Sequence, residues 1–406
     1  MYEGSDELRN AARAGAATTA AVLLAVSGAG CGVVGSWSTP AVSTLVVGVD
    51  LDLTGHGPGV IYHNGLSLAA DLVDEQLADQ WRVELRVLDN RGDPTTSAEN
   101  LATLAADPQV SVVVTAGCPR CVIDAAAELT VPVISLEGWE EVAAPVAERR
   151  WVFRLGPSAA DNADALSLAM ADQGVQTLGL FASSDPYGRE GMGSLSDAAA
   201  REGLEVVVTA DLGGDEDSVA AAAAEMAAWT PPPDPFDQFN PASELAGSGP
   251  DAVVLWLPPH LSSAAAAALR DEGYEGQLYL DMASVDELFV TEAGLAGARL
   301  VATGTAVADQ RIASSPAAAA RREWVQTYAS RYETYHLHSA FAADALLVVA
   351  DAVARAGTTD PTQLRTRIES TRIDGLSGPI RFTGDQHSGL SASALIVLTA
   401  SGDRWQ

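Results

Sequence analysis

The sequence runs to 406 residues, 48% of them hydrophobic and 19% charged, enough apolar material for two or three folded units and too much for a largely disordered chain. Acidic residues outnumber basic ones 54 to 23, giving a net charge of −31 at pH 7, a field that repels phosphate backbones and excludes nucleic acid as a partner. Every basic residue is an arginine, so chemistry that needs a lysine amine, such as a P-loop or a Schiff base, is excluded as well.

The chain opens with a basic flank ending at Arg13, an uncharged stretch over 14–30, and Cys31. An apolar core from Ala21 to Val26 followed by small residues reads as a secretory signal over 1–30. The ending Ser27-Gly28-Ala29-Gly30-Cys31 resembles a bacterial lipobox, with Gly28 where leucine is usual. It implies a lipid on Cys31, a linker over 31–43, and membrane contact through that lipid alone. Plain secretion or a retained anchor helix is the alternative. Two further cysteines, Cys118 and Cys121, then remain in an oxidising compartment, where a disulfide is the expected state.

Continuous Val/Leu-rich runs at 44–49, 83–88, 110–115, 131–135, 178–182, 204–210, 252–257, 277–281 and 300–303 predict strands buried on both faces. Between them, helical patterns fall at 65–77, 96–105, 121–129, 164–173, 193–202, 218–229 and 263–272. This alternation predicts an α/β fold of doubly wound parallel sheets. Late in the chain the order breaks: helical patterns at 316–332, 339–356 and 361–370 precede strand-like runs at 378–383 and 394–399. The chain is therefore expected to pass between two lobes more than once. The Pro/Gly/Ser-rich stretch over 231–250 reads as a solvated surface insertion.

Several pieces, in order, resemble the periplasmic branched-chain amino-acid-binding protein family. They are the run from Thr44 to Gly55, Asn64-Gly65 read as a helix start, Asp89-Asn90-Arg91-Gly92-Asp93-Pro94, and Val131-Pro132-Val133-Ile134-Ser135. Asp185-Pro186-Tyr187-Gly188, Ala340-Phe341-Ala342-Ala343-Asp344 and Leu376-Ser377-Gly378-Pro379-Ile380 continue the series. The resemblance spans about 44–403. It implies a type I periplasmic-binding fold: two flavodoxin-like lobes, 44–154 with 308–377 and 155–303 with 381–406, joined by three crossover segments, with hinges at 304–307 and 378–380. It further implies a monomeric, cofactor-free solute-binding protein that takes an amino-acid-like molecule and presents it to the permease subunits of an ABC importer. A sensor ectodomain of the same fold is the alternative; with no spanning helix or signalling domain after the last strand, transport is the expectation.

Doubly wound sheets bind ligands at the carboxyl ends of their strands, which selects Thr54 and His56, then Cys118, Arg120 and Cys121, then Glu137, Gly138 and Trp139 in the first lobe. In the second lobe the same rule selects Tyr187, His260 and Asp281. The helix start at Gly117-Cys118-Pro119-Arg120-Cys121 would favour a carboxylate, with Arg120 as a clamp. Glu137 could receive an ammonium and Trp139 could stack on the solute; packing of Trp139 between the lobes and pairing of Glu137 with Arg120 is the plainer alternative. Tyr187 and Asp281 match the family's ligand-contacting tyrosine and amine-binding acid. The Cys-Pro-Arg-Cys spacing also resembles a glutaredoxin-like motif, leaving a structural disulfide, free thiols, redox exchange and a metal site open. A dinucleotide fingerprint at Gly55-His56-Gly57-Pro58-Gly59 fails, because Val60 stands where the third glycine belongs.

Overall fold

The computed structural model describes residues 42–54, 58–77, 80–213, 216–231, 249–284, 294–402 and 404–406. The signal and lipid expectations at 1–30 and Cys31, the ligand contact assigned to His56, and nearly all of the 231–250 insertion lie outside these residues. The first sheet is parallel throughout. It contains β1 (Ser43–Leu51), β2 (Trp81–Asp89), β3 (Val110–Thr115), β4 (Val133–Ser135) and β5 (Val152–Arg154), in the order β2-β1-β3-β4-β5. Because alternate residues of a strand face opposite ways, Leu45, Val47, Val49 and Leu51 join one core while Val46 joins another with Leu101, Leu104 and Val122. Both faces are thus covered, which is why the strands read as unbroken apolar runs.

Helix α1 (Gly59–Leu77) covers one face of this sheet, and α2 (Pro94–Ala106) and α3 (Pro119–Ala125) cover the other. Several helices begin earlier than their apolar periodicity indicates. A capping side chain followed by proline in the first turn sets the start: Asp93 accepts from the Thr95 and Thr96 amides ahead of α2, and Cys118 caps α3. Proline suits that turn because its missing N–H would have had no helical partner.

Asn64-Gly65 is a correction, since it lies inside α1 rather than at its start. Gly65 is there for packing: a Cβ on it would overlap the backbone carbonyl of Ser339 on a helix from the end of the chain. That helix belongs to the late group, whose position follows from the second sheet.

After Arg154 the chain leaves the first sheet and enters α4 (Ala159–Asp172), capped by reciprocal bonds between Ser158 and Asp161. It then builds β6 (Thr177–Ser183), α5 (Pro186–Glu202), β7 (Glu205–Leu212), α6 (Glu216–Ala228), β8 (Ala252–Trp256), α7 (Pro259–Asp271), β9 (Gln277–Leu280) and β10 (Arg299–Thr303). It returns through one 3-10 turn to α8 (Pro316–Tyr332), α9 (His338–Ala356), which packs along α1, and α10 (Pro361–Ile368). A short hairpin, β11 (Arg372–Asp374) with β12 (Pro379–Arg381), precedes β13 (Leu395–Ser401) and β14 (Arg404–Trp405). The second sheet has the order β14-β13-β10-β9-β8-β6-β7, parallel except where β13 runs antiparallel to β10 and β14. The fold is α/β with two doubly wound sheets and three passages between them.

The passages are tied together. Arg154 donates its backbone N–H to the His387 carbonyl at 2.8 Å and accepts from the Gly389 N–H at 2.8 Å. Asp344, fully buried on α9, accepts from the Leu376 and Ser377 amides at 2.6 and 2.7 Å. The Thr305 hydroxyl donates to the Leu376 carbonyl, joining the second passage to the third. Among the described residues no helix is long and apolar enough to cross a membrane.

Candidate functional site

Loops at the carboxyl ends of strands in both sheets enclose a cavity of about 210 Å³, as the strand-end rule requires. From the first sheet's side, Glu137, Gly138 and Trp139 follow β4, Tyr62 comes from α1, and His338 and Phe341 from the start of α9. From the second, Tyr187 and Glu190 lie on the first turns of α5, Trp256 ends β8, and Asp281 follows β9. Asn162, in the first turn of α4, closes the wall next to the passage after Arg154.

The Glu137 carboxylate accepts the backbone N–H of Gly117, just before α3. Burial pushes the Glu137 pKa up, against the opposing pull of that amide and of His338. Asp281 is 3% exposed. Its Oδ2 accepts from the Tyr187 hydroxyl and from the Ala283 N–H, while Oδ1 has no hydrogen-bond partner among the described residues. Burial pushes Asp281 up to about 7 and raises Tyr187 well above its usual range, with the Asp281 charge adding to the latter. Across the cleft rim, Glu190 on α5 lies near the backbone amide of Glu140, which follows the β4 loop and acts to lower the Glu190 pKa. Burial, and the nearby carboxylates of Glu140 and Glu141, raise its pKa.

Behind the cavity sits Arg154, 3% exposed. Its guanidinium donates to the Gly156 carbonyl at 2.5 Å, the Gly138 carbonyl at 3.3 Å and the Ser388 hydroxyl at 3.3 Å, and lies 3.6 Å from Asp161. It therefore fixes the loop after β4 against the first and third passages. Gly138 permits that approach, because a Cβ on it would overlap the Pro157 carbonyl.

Of the residues selected from sequence, Glu137, Gly138, Trp139, Tyr187 and Asp281 meet around one cavity. Thr54, Cys118, Arg120, Cys121 and His260 are not among its lining. Thr54 is exposed in a turn where its amide binds Asp52, and His260 is exposed on the first turn of α7. The clamp role for Arg120 is corrected: one helical turn on, Asp124 takes its guanidinium at 3.0 Å, with both side chains exposed. Its pairing with Glu137 is likewise replaced by the Gly117 amide. Cys118 and Cys121 form a disulfide with Cα atoms 5.3 Å apart, and the two residues are 7% and 8% exposed. Sequence reasoning missed Tyr62, Arg154, Asn162, Glu190, Trp256, His338 and Phe341, whose signal was only their position at strand ends and helix starts.

A family model described as periplasmic binding protein matches residues 44–403. The chain belongs to that family, in its type I, branched-chain amino-acid-binding division. Its fold is shared by an extracellular ligand-binding receptor from Rhodopseudomonas palustris HaA2, at 20% identity and a TM-score of 0.72, covering 89% of this chain and 99% of that one. A leucine-binding protein from Thermotoga maritima MSB8 aligns at 18% identity and 0.68, over 89% of this chain and 97% of that one. An ABC transporter substrate-binding protein from Desulfitobacterium hafniense, in complex with Leu, aligns at 15% and 0.69, over 90% and 99%. At these identities the likeness is one of fold. No curated protein sequence matches the chain. The periplasmic binding family comprises periplasmic or extracellular proteins that hold small molecules, and among the described residues of this member no cluster of His, Cys, Asp and Glu could hold a metal ion.

Proposed function

We propose that the chain is the extracytoplasmic solute-binding component of an ABC importer, held to the outer face of the membrane by a lipid on Cys31. It would trap a small amino-acid-like solute between its two lobes and present it to a permease. The observation that carries this reading is the cavity itself, walled from both lobes at strand carboxyl ends and furnished with half-buried Glu137 and Tyr187 and buried Asp281. The three tied passages supply a hinge about which such lobes rotate. The Glu190 to Glu140 contact is one that opening would break. Thiol exchange is disfavoured, since attack on a disulfide needs access that sulfurs on residues 7% and 8% exposed do not give.

A thermal-shift screen of amino acids, amides, amines and carboxylic acids against the full chain tests the proposal. A solute present at 100 times its Kd stabilises the folded state by about 2.7 kcal/mol through mass action. At least one member should raise the melting temperature, and Glu137→Gln should reduce that rise. A flat response to every class would contradict solute capture.

A further inference from the structure

We propose that the solute is an organic amine cation without a carboxylate, seated between Glu137 and Asp281 against a surround of aromatic rings. The inference rests on the solute-binding reading above and names the chemistry of the same cavity.

Charge gives the first argument. Among the described residues that line the cavity, Glu137, Glu190 and Asp281 are acids, His338 is the one basic side chain, and there is no arginine. The sequence contains no lysine that a masked position could supply. Arg154, behind the cavity, is committed to the Gly138 and Gly156 carbonyls, Ser388 and Asp161. A solute carboxylate would enter a wall of three acids with only the His338 imidazole to meet it, and a buried charge left poorly paired is disfavoured.

Hydrogen bonding gives an independent one. Among the described residues lining the cavity, three buried side-chain atoms have no hydrogen-bond partner: one donor, the indole Nε1 of Trp256 on a residue 1% exposed, and two acceptors, Oδ1 of Asp281, on a residue 3% exposed, and Oδ1 of Asn162, on a residue 6% exposed. The orientation of the Asn162 amide is fixed by its Nδ2, which donates to the Ser158 carbonyl at 2.8 Å. Native proteins leave few buried acceptors empty, and these two call for N–H donors. Three backbone donors near the cavity are already taken by the protein's own carboxylates. Glu137 takes the Gly117 amide ahead of α3, Asp281 takes the Ala283 amide, and Asp185 takes the Gly188 amide of α5. The protein's own carboxylate thus occupies the helix-start amide to which a solute's carboxylate would bind.

The remaining surface is aromatic. Tyr62, Trp139, Tyr187, Trp256 and Phe341 line the cavity, and ring faces attract ammonium groups while accepting an apolar body. A volume of about 210 Å³ admits a solute on the order of ten non-hydrogen atoms. Monoamines, amino-acid amides and short diamines meet these conditions.

Isothermal titration calorimetry on the full chain separates the charge classes with matched probes. Leucinamide, 3-methylbutylamine and 1,4-diaminobutane carry ammonium without carboxylate, L-leucine carries both, and 4-methylpentanoate carries carboxylate alone. At least one of the first three should bind, L-leucine should bind it at least ten-fold more weakly, and 4-methylpentanoate should give no heat. Asp281→Asn, with its fold checked by circular dichroism, should weaken the amine by roughly 30-fold or more, as loss of one member of a buried charge pair does; Glu137→Gln provides the same test from the opposite wall. L-leucine or 4-methylpentanoate binding as tightly as the amines would overturn the amine assignment while leaving solute capture intact. Amine affinity unchanged in both variants would overturn the seat. Absence of binding by every probe, in a protein that also responds to nothing in the wider screen, would overturn both readings.

Discussion

Replacing Asp281 by asparagine should stabilise the empty protein at neutral pH while impairing its site. The carboxyl is buried against the Tyr187 hydroxyl and the Ala283 amide, with His338 the one cation acting on it, and burial carries its pKa from an ordinary 3.8 to about 7. Because the folded value lies above the unfolded one, the native state keeps a proton between pH 4 and 7 that the unfolded chain has released. Stability therefore falls as pH rises through that window, and the whole cost is present only above it. At about 1.36 kcal/mol per pH unit the cost is ~4 kcal/mol. An amide carries no such slope, so the variant and wild type should be nearly equal at pH 4 and differ by ~4 kcal/mol at pH 8. With an unfolding entropy of about 2.1 cal/mol/K per residue, that is a rise of about 5 °C in melting temperature. Urea unfolding followed by circular dichroism at pH 4, 6 and 8 measures it. A variant less stable than wild type at pH 8, or a difference that does not change with pH, would refute the reasoning. The expected trade, stability surrendered to hold an acid where a solute needs it, is common at functional sites.

Gly65→Ala should destabilise despite a helix-propensity gain of about 1 kcal/mol. Its methyl group would enter the Ser339 carbonyl of α9, and overpacking of a close helix pair costs ~1–3 kcal/mol; a higher urea midpoint would show that α1 and α9 are not held that closely. Asp344→Ala removes both acceptors of the Leu376 and Ser377 amides. It should cost ~3 kcal/mol, since each bond to a charged group contributes about 1.5–3 kcal/mol, with Asp344→Asn losing less in the same denaturation experiment.

The strands were the most legible part of the sequence, because helices on both faces force continuous Val/Leu runs such as the one in β3, where every residue is buried. Helix starts were harder. Apolar periodicity begins only where a helix touches its sheet, whereas α2, α5 and α7 start at Pro94, Pro186 and Pro259, ahead of that contact. Short β5 and β11 were invisible as strands, being three residues each with no run of their own, whereas β12 falls inside the strand-like run at 378–383. At the site, Glu137 and Asp281 could be picked out as acids beside apolar strand ends. Tyr62, Trp256 and Phe341 could not, since an aromatic residue on a helix or strand reads first as core. Arg120 misled for a physical reason: a helix-start arginine has a partner one turn away in Asp124, and the i,i+4 pair wins over a cleft.

Small-angle X-ray scattering of the full chain, with and without a solute identified by thermal shift, tests the central claim most directly. Two lobes joined by three tied passages and enclosing a cavity between them should close on the solute, so the radius of gyration should fall at saturation and the fall should be lost in Asp281→Asn. A solute that stabilises the protein with no change in its scattering profile would contradict capture by closure.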